Sequence, residues 1–298
     1  NKKIKRIVST SFFCSISKKM AYPVGIDFGT TYSSVCQYIN GRPEMKITNE
    51  NNSPKFPSII GYDEGEWIFA NGQVGNCIKD IKRLIGVEYG SDEYNSILPL
   101  FQEQNLILRE EIIPEGSPPV NKKGTEIKFG DHFYNYKKLI AKYINWLFTE
   151  CEGTYSDQKI VATMPLFKDL TKNDTIMEIY TEAGFRNITL LAEPIAAALA
   201  VCINNYKNQN FDKLLVFDFG GGTLDITILS VTYQNDIPNI NDIGNKGEPF
   251  LGGIDFDLKL CNWTLQQLRS KGFNNIDTNL NSEDIKKIME NCEKAKQI

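Results

Sequence analysis

A chain of 298 residues with 41% hydrophobic content carries enough apolar material for a sizeable core, and its length suits about two domains. The formal charge of -4 at pH 7 argues against a nucleic-acid binder, which carries a basic stripe, and no apolar run reaches the roughly 18 residues of a membrane-spanning helix. The single histidine, His132, argues against a histidine-based triad or a multi-histidine metal site and reads as a surface residue. The seven cysteines, at positions 14, 36, 77, 151, 202, 261 and 292, form no CxxC pair and are odd in number. Neither a disulfide framework nor a zinc site is supported; each reads as a small buried apolar residue, and free thiols imply a reducing compartment.

The opening stretch, residues 1 to 20, holds Lys2, Lys3, Lys5, Arg6, Lys18 and Lys19 without an acid. It is expected to be a basic leader, with a mitochondrial transit peptide as one reading and an upstream stretch before an initiator at Met20 as the preferred one. The fold reading therefore starts after it. Val24 to Asp27 and Thr31 to Ile39 predict two strands around a tight turn at Gly29, with "NGRP" at Asn40 as the next turn. The stretch from Ile112 to Asp131 reads as a loop with one strand. From Tyr136 the apolar residues Leu139, Ile140, Tyr143, Ile144, Leu147, Phe148 and Cys151 follow the i, i+3, i+4 spacing of an amphipathic helix stopped by Gly153. A buried strand in "QKIVATMP", a helix over 169 to 183 stopped by Gly184, and a strand in "NITLLAEP" come next. Pro194 suits the first helical position after Glu193, and "IAAALA" predicts a small-residue helix able to lie close on a sheet. Strands at Leu214 to Phe219 and Leu224 to Leu229, a polar connection, and helices over 254 to 271 and 282 to 297 complete the chain. Alternating strands and helices predict an α/β layered sheet.

Two segments share one grammar. "VGIDFGTTYSSV" and "VFDFGGGTLDITI" each run from an apolar strand through Asp, Phe and a glycine turn to Thr and an alternating strand. A strand interior gives up packing and backbone entropy at each glycine, so something requires bare main chain at both turns. Amides at such a turn form a concave nest for phosphate oxygens. The chain lacks both GxxxxGK[ST] and GxGxxG, and here the turn joins strand to strand. Asp27 and Asp218 ahead of the turns put two carboxylates beside the anion, a demand that Mg2+ meets with hard oxygen ligands and retained waters.

These segments, together with "IKRLIG" at Ile81 to Gly86, "AEPIAAALA" at Ala192 to Ala200 and "LGGIDFD" at Leu251 to Asp257, resemble the seventy-kilodalton heat-shock chaperones in that family's order. More remotely they resemble the superfamily of actin and hexokinase. The resemblance runs from about Tyr22 to the C-terminus and implies an actin-like ATPase (ribonuclease H-like) fold, with lobe I over residues 21–205 and a partial lobe II over 206–298. It further implies ATP or ADP as ligand. Gly29, Thr30, Thr31 and Tyr32 would form the first phosphate loop, and Gly221, Gly222 and Thr223 the second. Asp27 and Asp218 would hold Mg2+ through its waters. Lys82 would approach the terminal phosphate, and Glu193 would orient or deprotonate water. Glu293 and Lys296 would touch the nucleoside, although at i, i+3 on one helix they also read as an ion pair. Asp225 stays open between a structural and a catalytic role.

The sequence departs from the family pattern at Ile254, where Glu is usual, in "PLFKDL", and at Gln297, where Arg is expected near the adenine. The implied partners are peptide or unfolded-protein clients of a further C-terminal domain, J-domain co-chaperones and nucleotide-exchange factors. The implied compartment is cytoplasmic. An ATPase that powers a chaperone is the leading reading. A binding module that does not hydrolyse and a small-molecule kinase of the superfamily remain open. The second lobe is expected to lack a sheet strand, as in a fragment, so hydrolysis is expected of the complete protein.

Overall fold

The structure, a computed structural model, describes residues 23–39, 42–47, 53–72, 76–102, 104–114, 123–150, 159–166, 170–205, 211–235, 237–248, 251–273, 280 and 282–296. The basic leader, the turn at Asn40, Gly153, Gln297, Cys14 and Cys151 lie outside the described residues.

The predicted first hairpin is present. Strands β1 (Val24–Phe28) and β2 (Tyr32–Ile39) pair antiparallel with Asp27 opposite Ser34, and β3 (Arg42–Met45) and β4 (Phe56–Pro57) add to β2. A small sheet follows, with β5 (Ile60–Asp63) between β6 (Glu66–Phe69) and β7 (Cys77–Ile78). A single 3-10 turn, Ile81–Leu84, leads to α1 (Asp92–Gln102) and to a sheet of β8 (Leu108–Glu110), β9 (Thr125–Phe129) and β10 (His132–Asn135). Sequence reading found only one strand in this region. Strands of two to five residues are too short to display a period of two, and Pro99 inside α1 argues against a helix interior by removing a donor.

Helix α2 (Tyr136–Glu150) starts where the Asn135 side chain accepts the Lys137 amide at 2.8 Å, a side-chain N-cap. Its predicted face, from Leu139 to Phe148, is buried at the centre of the first core. Strand β11 (Lys159–Met164), α3 (Leu170–Glu182) and β12 (Asn187–Ala192) follow. Strands β1, β11 and β12 run parallel, and the sheet order is β12-β11-β1-β2-β3 with β4 on β2. Helix α3 stops at Gly184, which takes φ 99°. The Gly184 amide donates to the Thr181 carbonyl at 3.0 Å and the Phe185 amide to the Tyr180 carbonyl at 3.1 Å, the paired bonds of a glycine-ended helix.

Helix α4 (Glu193–Asn205) leads to a second sheet of β13 (Lys213–Phe219), β14 (Leu224–Gln234) and β15 (Ile237–Glu248), all antiparallel. The expected close approach of the alanine helix is realised on this sheet: Ala197, Ala198 and Cys202 pack against Leu214, Val216, Leu229 and Val231. The expected polar connection after Leu229 is instead the rest of β14 and all of β15. Its Asn, Asp, Gly and Lys residues are poor strand formers, and pairing to β14 overrides that preference. Helices α5 (Gly253–Ser270) and α6 (Ser282–Lys296) end the chain. His132 is exposed. Among the described cysteines, Cys36, Cys202, Cys261 and Cys292 are buried and Cys77 is half-buried. Among the described residues no helix is long and apolar enough to cross a membrane.

Candidate functional site

Asp27 lies near the carboxyl end of β1, Thr163 near that of β11, and Glu193 directly after β12. Three adjacent parallel strands thus present their carboxyl ends together, the edge where open α/β sheets bind ligands. The Thr163 hydroxyl donates to Asp27 Oδ1 at 2.6 Å. Lys82 arrives from the 3-10 turn. Asp80 starts that turn in the left-handed region with φ 59°, and Ile81 and Leu84 point into the core at 1% and 0% exposure. Residues three apart share a side of such a helix, so Lys82 and Arg83 are turned to the cleft. Lys82 Nζ donates to Glu193 Oε1 at 2.8 Å, with the two side chains 12% and 17% exposed.

Burial disfavours the Lys82 charge, but Glu193, Asp27 and Asp218 outweigh it and hold its pKa above the ordinary value, so it remains a cation. Burial pushes Glu193 up to about 7, with Lys82 opposing and Asp27 and Asp218 reinforcing. Asp218 is raised by burial and then by the neighbouring Asp225 and Asp27 carboxylates. Asp225 is raised by burial against the pull of Thr223 and Lys82. The four residues Lys82, Glu193, Asp27 and Asp218 therefore share one electrostatic environment, although they come from both sheets and from the turn.

The two glycine turns meet. In the first, the Ser58 hydroxyl donates to the Gly29 carbonyl at 2.8 Å and the Ser58 amide to the Thr31 carbonyl at 2.9 Å. In the second, the Gly220 amide closes the turn onto the Thr223 carbonyl at 2.9 Å. The Gly220 and Gly221 carbonyls accept the amides of Gly253 and Ile254 at the start of α5, at 3.0 and 2.8 Å, and the Gly222 carbonyl accepts Arg83 Nη2 at 2.8 Å. A Cβ on Gly221 would strike the Thr31 side chain, and one on Gly222 would lie 2.6 Å from Arg83 Nη2 and 3.1 Å from Thr30 Cγ2. Bare backbone is required here because one turn is pressed against the other. Sequence reasoning had assigned that bareness to a phosphate alone.

With their carbonyls occupied, the amides of Gly221, Gly222 and Thr223 make no hydrogen bond among the described residues, nor do those of Thr30 and Thr31. The Thr31 hydroxyl is buried without a partner. Tyr32, at the edge of the first turn, has its pKa raised by burial and then by the charge of Glu293 of α6, which lies within electrostatic reach of it. Lys296 does not pair with Glu293. Its Nζ donates to the Gly253 carbonyl at 2.9 Å and to Asp257 Oδ2 at 2.7 Å, tying α6 to the start of α5. Asp255 accepts the Gly252 amide at 2.7 Å and fixes that start.

Sequence reasoning missed Ser58, Arg83, Thr163, Asp255 and Asp257. Arg83 adjoins Lys82, and the two aspartates lie in "LGGIDFD", so segments already singled out held three of them. Ser58 and Thr163 gave no local signal.

The profile of the Hsp70 protein family matches residues 23–298. The chain belongs to the Hsp70 family. Its fold is the α/β, actin-like one expected of an Hsp70 nucleotide domain. It is 29% identical to a heat shock protein homolog of Encephalitozoon cuniculi, over 92% of this chain and 44% of that relative. It is 29% identical to the chaperone protein dnaK1 of Prochlorococcus marinus, over 92% of this chain and 39% of the relative. A heat shock 70 kDa protein of Neurospora crassa is 28% identical, over 93% and 42%. The chain thus spans about two fifths of the length of these curated Hsp70 relatives.

Proposed function

We propose that this chain is the ATP-binding and ATP-hydrolysing part of a chaperone whose remaining domain holds peptide or unfolded clients. J-domain co-chaperones and exchange factors act on it in this reading. The observation that carries the proposal is the meeting of two glycine turns from separate sheets around unpaired amides, beside the Lys82–Glu193 pair and the carboxylates of Asp27 and Asp218.

The residues fit a nucleotide with Mg2+. The free amides and the buried Thr31 hydroxyl supply donors to an anion. Asp218 is raised partly by other carboxylates, a repulsion that a cation relieves. Among the described residues no group of three or more His, Cys, Asp or Glu could hold a metal ion. This suits an ion that takes waters and phosphate oxygens and meets Asp27 and Asp218 through that water shell. When bound, Mg2+ would neutralise charge on the phosphate oxygens.

The protein's own groups divide the remaining work. Lys82, held cationic, offsets charge that spreads over the terminal phosphate oxygens. Glu193, with a pKa near 7, is matched to accept a proton from water at neutral pH. Glu293, near Tyr32, stands at the nucleoside end, and Lys296 acts there by fixing α5 against α6.

Lys82→Ala should leave nucleotide binding largely intact and slow hydrolysis by at least about tenfold in a single-turnover assay. Unchanged turnover would sink the role given to Lys82. ATP bound without phosphate release in the unsubstituted protein would leave a binding module in place of an ATPase.

A further inference from the structure

Behind Lys82 lies a cavity of about 10 Å3 whose lining includes Lys82, Thr163 and Tyr180, with apolar walls from Phe28, Ile85 and Ile176. Tyr180 is 2% exposed, and its hydroxyl is buried without a hydrogen-bond partner. An unpaired buried hydroxyl is destabilising, so its presence beside two other polar side chains calls for an explanation. Packing fixes it there. Tyr180 lies in the last turn of α3 within the first core, its ring 6.1 Å from that of Phe185. The phenol cannot turn outward without unpacking that core. Its electrostatic neighbours are Asp27 and Glu193, which add to the effect of burial in raising its pKa, so it stays a neutral hydroxyl.

We propose that one ordered water occupies this cavity and joins the Tyr180 hydroxyl to Thr163, making Tyr180 a positioning residue for Asp27. The volume sits at the lower limit for a single water, which needs two to four polar partners. Tyr180 and Thr163 supply two, and Lys82 lines the same space. The Thr163 hydroxyl has one proton, which goes to Asp27 Oδ1, so its lone pairs are left to accept from the water. A water held by Tyr180 keeps that proton aimed at Asp27 and directs the carboxylate toward the cleft.

The inference rests on the nucleotide reading for its kinetic consequence, while the water itself is independent of it. In a crystal structure that shows ordered solvent, a water peak should stand at about 3 Å from both Tyr180 Oη and Thr163 Oγ1. It should be lost in Tyr180→Phe and in Thr163→Val. In single turnover, Tyr180→Phe should slow hydrolysis about threefold to tenfold with KM for ATP unchanged.

No peak in the unsubstituted protein overturns the proposal. So does a Tyr180→Phe variant that melts higher and turns over at the original rate, because that is the behaviour of an unpaired core hydroxyl removed without consequence. If the unsubstituted protein releases no phosphate, the ATPase reading fails and the water peak with its two variants still decides this one.

Discussion

Arg83 reaches from the turn that carries Lys82 to the Gly222 carbonyl, so one side chain connects that turn to the second glycine turn. A hydrogen bond from a charged donor contributes about 1.5 to 3 kcal/mol, and this one holds the two turns together. Arg83→Ala should therefore weaken ADP binding about tenfold by calorimetry and also lower the unfolding midpoint at pH 8, because it removes the cation that opposes the raised pKa of buried Asp80. An unchanged dissociation constant would show that the turns hold together without it.

Asp80, in the same turn, is 6% exposed. Burial lifts its pKa from 3.8 to about 6, with Arg83 and Lys79 opposing and Asp255 adding. A carboxyl raised on folding holds its proton longer in the native state, so its contribution to stability falls as pH rises between about 4 and 6, and the cost is complete above that. Glu193, raised from 4.5 to about 7, behaves alike over a slightly higher window. Asn tolerates the left-handed backbone at this position and carries no charge. Asp80→Asn should raise the urea midpoint at pH 8 by the equivalent of about 1 to 3 kcal/mol and change it little near pH 4. Equal shifts at both pH values would mean that the carboxylate is not the source.

At the scale of elements, the alanine helix shows how tightly sequence and packing are linked. Ala198 is fully buried in α4 against the second sheet, and a larger side chain there forces helix and sheet apart. Ala198→Leu should lower stability by about 1 to 3 kcal/mol in a denaturant titration. No loss would mean that the helix rides on the sheet with slack.

The elements that sequence reading found are those with a long period or a strong stop signal. Helix α2 shows six buried residues in register, α3 ends on a glycine that needs positive φ, and the two Asp-Phe-Gly hairpins repeat one pattern. The elements it missed lack such marks. Strand β15 is polar and takes its structure from β14, α1 contains a proline, and β5 to β8 are two to four residues long. The same division runs through the site. Asp27, Lys82, Glu193 and Asp218 stood in recognisable segments, whereas Ser58 and Thr163 act through hydrogen bonds to residues 29 and 136 positions away. No local pattern encodes contacts of that separation.

At the scale of the molecule, the two main sheets differ in how completely they are covered. The first has a continuous core around α2. In the second, α4 covers one face, where Leu214 and Val216 are buried, while Leu215, Phe217 and Phe219 on the other face of β13 are 43%, 50% and 43% exposed, with Ile228 at 44% beside them. Among the described residues β13 pairs on one side only, with β14. The Phe217 and Phe219 rings stack at 6.4 Å, and Phe219 meets Phe256 edge-on at 5.8 Å, so these side chains form one patch. An apolar patch along an unpaired strand edge favours association with another surface. The chain should therefore self-associate at micromolar concentration by light scattering. Replacing Leu215 and Phe217 by Thr, which keeps strand preference, should reduce that association with little change in the unfolding midpoint. Val216→Thr, on the packed face, should do the reverse, lowering the midpoint without improving solubility. Association that survives the Leu215 and Phe217 substitutions would place the sticky surface elsewhere and remove the contrast between the two faces of β13 as its cause.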